Sequence, residues 1–133
     1  VGVKDSSYNL FEKLKLENFS LMPGSESKLL KGLELGCSGI ITATCNVTAQ
    51  LARRVYDDFF SGKEQIYNQK LIDVRNAFEK YNLISALHTF KSKEDKIYEN
   101  VLPPLGLLDG ESENNLIENL KKIDFQIKSE LAA

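Results

Sequence analysis

Leu35-Gly36-Cys37-Ser38-Gly39-Ile40-Ile41-Thr42-Ala43-Thr44-Cys45-Asn46-Val47 is a short apolar run bracketed by glycines and small polar residues. Gly39 to Thr44 reads as a strand, and Leu51, Val55 and Phe59 follow at four-residue spacing, which places them on one helical face. Two earlier segments repeat the pattern. Gly2-Val3-Lys4-Asp5-Ser6-Ser7 reads as a strand end running towards a short helix. Phe19-Ser20-Leu21-Met22 is a second strand that ends at Pro23-Gly24-Ser25-Glu26, and a helix through Leu29, Leu30 and Leu33 follows it. Repeated βα alternation makes the fold class α/β, with a parallel sheet or barrel. Each strand ends on polar or small residues: Lys4 and Asp5, then Gly24 and Ser25, then Thr44 and Asn46. In a (β/α)8 barrel such strand ends line the active site.

Lys4 is the residue with the sharpest chemistry. A lysine amine can attack a keto group and form an imine, and a site that desolvates the ammonium favours the reactive free amine. An isolated lysine is far more often a solvated surface group. The case for Lys4 comes from the ordered set of segments around it.

Those segments resemble the C-terminal part of the dihydrodipicolinate synthase and N-acetylneuraminate lyase family of class I aldolases. Gly2-Val3-Lys4-Asp5-Ser6-Ser7 is similar to that family's sixth strand, where the lysine forms the Schiff base. Leu21-Met22-Pro23-Gly24-Ser25-Glu26 resembles its seventh strand and loop, and Leu35 to Val47 its eighth. Leu102-Pro103-Pro104-Leu105 resembles a proline-containing stretch of its C-terminal helical region.

The resemblance implies the last three βα units of a TIM barrel over residues 1–62, then a helical region over 63–133 packed on the barrel. It implies Lys4 as the catalytic residue, with Gly24, Ser25, Glu26 and Ile41 binding substrate. The implied substrates are an α-keto acid, most simply pyruvate, and an aldehyde or sugar acid, with no metal and no organic cofactor. It also implies a homo-oligomer, a dimer or tetramer. The loop Gly24-Ser25-Glu26-Ser27 departs from the Gly-Asp-Asp form of typical dihydrodipicolinate synthases, and it lacks the paired acids of typical sialic-acid lyases. That loop fits a sugar-acid aldolase slightly better than lysine biosynthesis. The competing class is a non-catalytic interaction module derived from the fold.

At 133 residues the chain is short for this architecture. A complete barrel takes about 250 residues and eight strands. The chain starts close to the lysine without a methionine, so the expectation is the C-terminal piece of a longer polypeptide, inactive alone. Composition suits a globular protein, with 42% apolar and 27% charged residues. The net charge of -2 gives no electrostatic case for nucleic acid, and no apolar run is long enough to span a bilayer. Cys37 and Cys45 flank one predicted strand, which would hold them about 26 Å apart. Reduced thiols in a cytoplasmic enzyme are the simplest reading.

Helical periodicity dominates the rest. Tyr67, Leu71, Val74, Phe78 and Tyr81 share a face, with Ser61-Gly62 separating them from the preceding helix. A further helix spans about Ile84 to Tyr98, with a break near Ser92, where Ser92 and Asp95 resemble a capping box. Pro103 and Pro104 suggest an extended connection. Leu116, Leu120, Ile123, Ile127 and Leu131 mark a last amphipathic helix. Ser25 is placed to cap the helix after the second strand, with Glu26 in its first turn. His88 has no partner at ligand spacing and reads as structural. Asn46 is expected to bond the turn after the third strand. Arg53-Arg54 reads as one exposed and one interface arginine, and Lys91, Lys93 and Lys96 as a solvated mixed-charge face.

Overall fold

The computed structural model describes residues 1–7 and 9–126. Strand β1 (Gly2–Asp5) pairs in parallel with β2 (Ser20–Pro23), in a register running from Gly2 opposite Ser20 to Asp5 opposite Pro23. Parallel pairing needs a crossover, and α1 (Leu10–Lys13) lies within it. A 3-10 turn (Glu26–Lys28) leads into α2 (Leu29–Glu34). Four further helices follow: α3 (Cys45–Phe60), α4 (Asn68–Glu79), α5 (Leu83–Ser92) and α6 (Gly110–Lys122). A second 3-10 turn, Lys96–Glu99, lies between α5 and α6.

The third strand expected over Gly39 to Thr44 is not a regular strand. The chain there runs beside β2 and donates to it twice, from Ser38 N–H to the Leu21 carbonyl (3.1 Å) and from Ile41 N–H to the Pro23 carbonyl (3.2 Å). Three residues of this segment therefore pass two of β2. A regular ladder advances in equal steps, so one residue is surplus, as in a bulge. Gly39 lies within the surplus stretch at φ +146°, a conformation that L side chains rarely adopt. Among the described residues the sheet has two strands, and this segment lies beside β2 without completing a third.

The main core lies among the helices. Leu51 and Val55 of α3, Leu71, Val74 and Phe78 of α4, Phe90 of α5 and Leu116 and Leu120 of α6 are buried in one cluster. Burying a side chain of this kind stabilises the fold by about 1.5–3 kcal/mol. Phe78 and Phe90 meet edge to face at 5.4 Å, and Phe125 stacks on Phe90 at 5.9 Å. The cluster also contains Leu29 and Leu33 of α2, so one core serves residues on both sides of position 62. A smaller cluster, Phe11, Leu21 and Cys37, packs beside β2.

Helix ends follow local chemistry. Asn82, Asp95 and Asp109 accept from Ser85 N–H (3.1 Å), Ile97 N–H (2.9 Å) and Ser112 N–H (2.8 Å), capping α5, the second 3-10 turn and α6. The start signal expected from Ser92 with Asp95 thus resolves differently. Ser92 ends α5 and donates back to the Thr89 carbonyl (2.8 Å), while Asp95 alone caps the next turn. The prolines bend the chain rather than extend it, because Leu105 N–H reaches the Leu102 carbonyl at 3.1 Å across Pro103-Pro104. Helix α6 ends at Lys122, followed by Asp124 at φ +53°. Ile127 and Leu131, expected on that helix, lie outside the described residues. Among the described residues no helix is long and apolar enough to cross a membrane.

Candidate functional site

Lys4 sits on the C-terminal half of β1, opposite Met22. Its stem lies against Gly24: a methyl group at Gly24 would stand 3.5 Å from Lys4 Cε and 3.0 Å from the Asp5 carbonyl oxygen. Gly24 N–H donates to that same carbonyl at 2.8 Å. Position 24 therefore has room for glycine and little more. The structure places Gly24 beside Lys4 and Ile41 one segment further along, where its N–H meets the Pro23 carbonyl. Lys4 and Ile41 are both exposed. The desolvation that the imine chemistry calls for is not supplied by the described residues.

Asp5 fixes the chain just after the lysine. Its carboxylate accepts from Ser7 N–H (2.9 Å), the Ser7 hydroxyl (2.6 Å) and Phe11 N–H (2.9 Å). Burial alone would push this carboxyl up, but the bonds from Ser7 and Phe11, helped by the charge of Lys28, hold it below the ordinary carboxylate value. Lys28 also donates to the Ser7 carbonyl at 3.2 Å. The turn Asp5-Ser6-Ser7 is thereby tied to the helix start after β2.

Ser25 and Glu26 differ from expectation. Ser25 makes no side-chain cap and instead shares a hydrogen bond with Ser27 Oγ at 3.0 Å. Glu26 is in the first turn, as read from sequence, but its carboxylate faces the interior and is 0% exposed. Oε1 accepts from the hydroxyls of Thr42 (2.5 Å) and Thr48 (3.2 Å), and Oε2 pairs with Arg75 Nη1 at 3.3 Å. Its oxygens are thus shielded and already engaged by these partners. Arg75 also donates to Thr44 Oγ1 at 2.9 Å and to Glu79 at 2.7 Å through Nε.

Sequence reading missed this network. Its one legible sign was Arg75 inside an apolar helical stripe, next to Val74 and between Leu71 and Phe78. The partners, Thr42, Thr44 and Thr48, lie 27 to 33 residues earlier in the chain, beyond any local pattern.

The remaining candidates are settled by contacts. Asn46 Nδ2 donates to the Ala43 carbonyl at 2.8 Å, the expected turn bond. His88 is half-buried and its Nδ1 lies 2.8 Å from the Tyr98 carbonyl; a carbonyl can only accept, so that nitrogen carries the proton. Arg53 and Arg54 are both exposed, contrary to the split expected, because Arg53 pairs with Asp57 one turn on and Arg54 covers the Tyr67 ring. Lys91 pairs with Glu94 and Lys93 with Glu113, within the mixed-charge surface. Burial raises both cysteine thiols above their ordinary value. Among the described residues no group of three or more His, Cys, Asp or Glu is placed to hold a metal ion.

Comparison with known proteins adds a second kind of observation. A sequence profile described as the Dihydrodipicolinate synthetase family matches residues 1–123. A 2-dehydro-3-deoxy-D-gluconate/2-dehydro-3-deoxy-phosphogluconate aldolase of Picrophilus torridus is 29% identical over 112 residues. That match takes in 78% of this chain and 42% of the aldolase, so the chain spans well under half the length of the relative. Dihydrodipicolinate synthase from Aquifex aeolicus superposes with a TM-score of 0.79 at 23% identity, covering 96% of this chain and 46% of that enzyme. N-acetylneuraminate lyase from Proteus mirabilis gives 0.75 at 18% identity, covering 92% of this chain and 44% of the lyase. These superpositions match the fold to part of a TIM-barrel architecture.

Proposed function

This chain belongs to the dihydrodipicolinate synthetase family, and from that premise we propose that it carries the imine-forming lysine of a class I aldolase. In this reading β1, β2 and the extended segment after α2 are strands six to eight of a barrel, residues 1–62 form its last βα units, and residues 63–133 form the helical region packed on it. Lys4 condenses with the keto group of an α-keto acid, taken here as pyruvate. The amine adds to the carbonyl carbon, water leaves, and a protonated imine remains. In cleavage the imine forms instead on the aldol substrate, and a base takes the proton of the hydroxyl on its β carbon. The bond between the α and β carbons breaks to release an aldehyde, and the electron pair passes to the imine as an enamine, which is protonated and hydrolysed to pyruvate. In reverse, the enamine carbon adds to the aldehyde, and hydrolysis frees Lys4.

The observation that carries this reading is the placement of Lys4 on the C-terminal half of a parallel strand, against Gly24, with the following turn fixed by Asp5. Gly24, Ser25 and Ile41 are the proposed substrate contacts. The Picrophilus torridus aldolase is named for 2-dehydro-3-deoxy sugar acids, which supports a sugar-acid aldolase over the synthase activity. A homo-oligomer and a cytoplasmic location are carried over from the family resemblance as part of the same proposal. The non-catalytic module is not favoured.

Steady-state kinetics on the full-length polypeptide test the substrate class. The expected result is pyruvate release from 2-dehydro-3-deoxy-D-gluconate. No release from it, with turnover only in a dihydrodipicolinate-forming assay, would overturn the sugar-acid assignment.

A further inference from the structure

The Glu26–Arg75 pair joins parts of the molecule that sequence reading kept separate. Glu26 lies two residues beyond Gly24, in the loop beside Lys4. Thr42, which donates to Glu26, follows Ile41 directly, and its hydroxyl also accepts from Cys45 N–H at 3.1 Å. One carboxylate thus ties the loop beside Lys4 to the segment that runs along β2. Arg75 reaches it from α4, in the C-terminal helical region, and grips Thr44 as well. Glu26, Thr44 and Thr48 are 0% exposed and Arg75 8%.

Stability alone is a poor reason for this arrangement. A buried ion pair loses so much hydration that apolar residues of similar volume often serve as well or better. What apolar residues cannot supply is direction. Two hydroxyls and a guanidinium group aimed at one carboxylate define the relative positions of three segments.

We propose that Arg75 is a positioning residue: through Glu26 and Thr44 it sets the loop beside Lys4 and the segment along β2 that is tied to that loop, so that the C-terminal helices influence the geometry at the imine-forming amine. This rests on the reading of Lys4 as that amine. Displacement of a reacting group by about 1 Å can cost on the order of 100-fold in rate, so small loop shifts are enough for a measurable effect.

The test separates stability from positioning. Arg75→Met strands a buried carboxylate and should lower both the melting temperature and the rate of pyruvate trapping by borohydride. Glu26→Gln with Arg75→Met removes both charges. The double variant should recover most of the melting temperature, while the trapping rate stays at least about tenfold below the parent, with kcat lowered more than KM is raised. Amide exchange over residues 22–26 and 40–44 should be faster than in the parent. Recovery of trapping and of exchange together with melting temperature would overturn the proposal and leave the pair a structural one. Should the double variant fail to fold, Arg75→Lys keeps the charge but removes the Nη1 that donates to both Glu26 and Thr44 and the Nε and Nη2 that anchor the group on Glu79; parent-like trapping and exchange there would equally overturn it. If the parent protein itself forms no imine, the Lys4 reading falls, and exchange over the two segments still decides whether Arg75 positions them.

Discussion

Asp5→Asn tests how the turn after Lys4 is held. At neutral pH the carboxylate accepts three hydrogen bonds, from Ser7 N–H, Ser7 Oγ and Phe11 N–H. Asparagine keeps one oxygen, enough for the two Ser7 donors on Oδ1. Its amide nitrogen then takes the place of Oδ2 and faces Phe11 N–H, donor against donor. Phe11 is 3% exposed, so that N–H finds no water. Losing a bond to a charged acceptor and leaving a buried donor unpaired costs about 1–3 kcal/mol. The pH dependence has a definite sign. The native carboxyl titrates below its ordinary value, so the stability it contributes is present above that value and disappears as the pH falls through the lowered native one. Urea denaturation of parent and variant, followed by circular dichroism, should therefore show a gap of about 2 kcal/mol near neutrality that narrows below about pH 4. A gap of under about 0.5 kcal/mol at neutral pH, or one unchanged in acid, would refute the reasoning.

Other outcomes follow from single contacts. Phe78→Ala should destabilise by about 3–5 kcal/mol in the same denaturation assay, because Phe78 is 0% exposed and packs edge-on against Phe90. Asp109→Ala removes the cap of α6 and should cost about 0.5–2 kcal/mol, most of it recovered by Asp109→Ser. Gly24→Ala puts a methyl 3.0 Å from the Asp5 carbonyl and beside Lys4 Cε. It should slow pyruvate trapping about tenfold or more, while the melting temperature falls far less than for Phe78→Ala.

Sequence carried the βα order because strand ends, turn glycines and apolar periodicity are local signals. It located Lys4 and Gly24, which the structure places side by side, because both sit at strand ends. It read Gly39 to Thr44 as a strand because those residues suit one; the surplus residue that breaks the ladder depends on how that segment lies on β2, which no local pattern encodes. Glu26 read as a first-turn acid that a substrate could also reach. Its burial depends on Arg75, 49 residues away, and on threonines that alone read as ordinary strand and helix positions. Long-range polar partners were the part least available from a single sequence, and they are what tie the helical region to the loop beside Lys4.

The central claim is that Lys4 forms an imine with an α-keto acid. The most direct measurement is borohydride reduction of the full-length polypeptide with pyruvate, followed by peptide mapping, with a pyruvate-free control. The account predicts a reduced pyruvyl adduct on Lys4 that is absent without pyruvate and absent in Lys4→Arg. A folded parent protein that takes up no adduct, or takes it up on another lysine while Lys4 stays free, would contradict it.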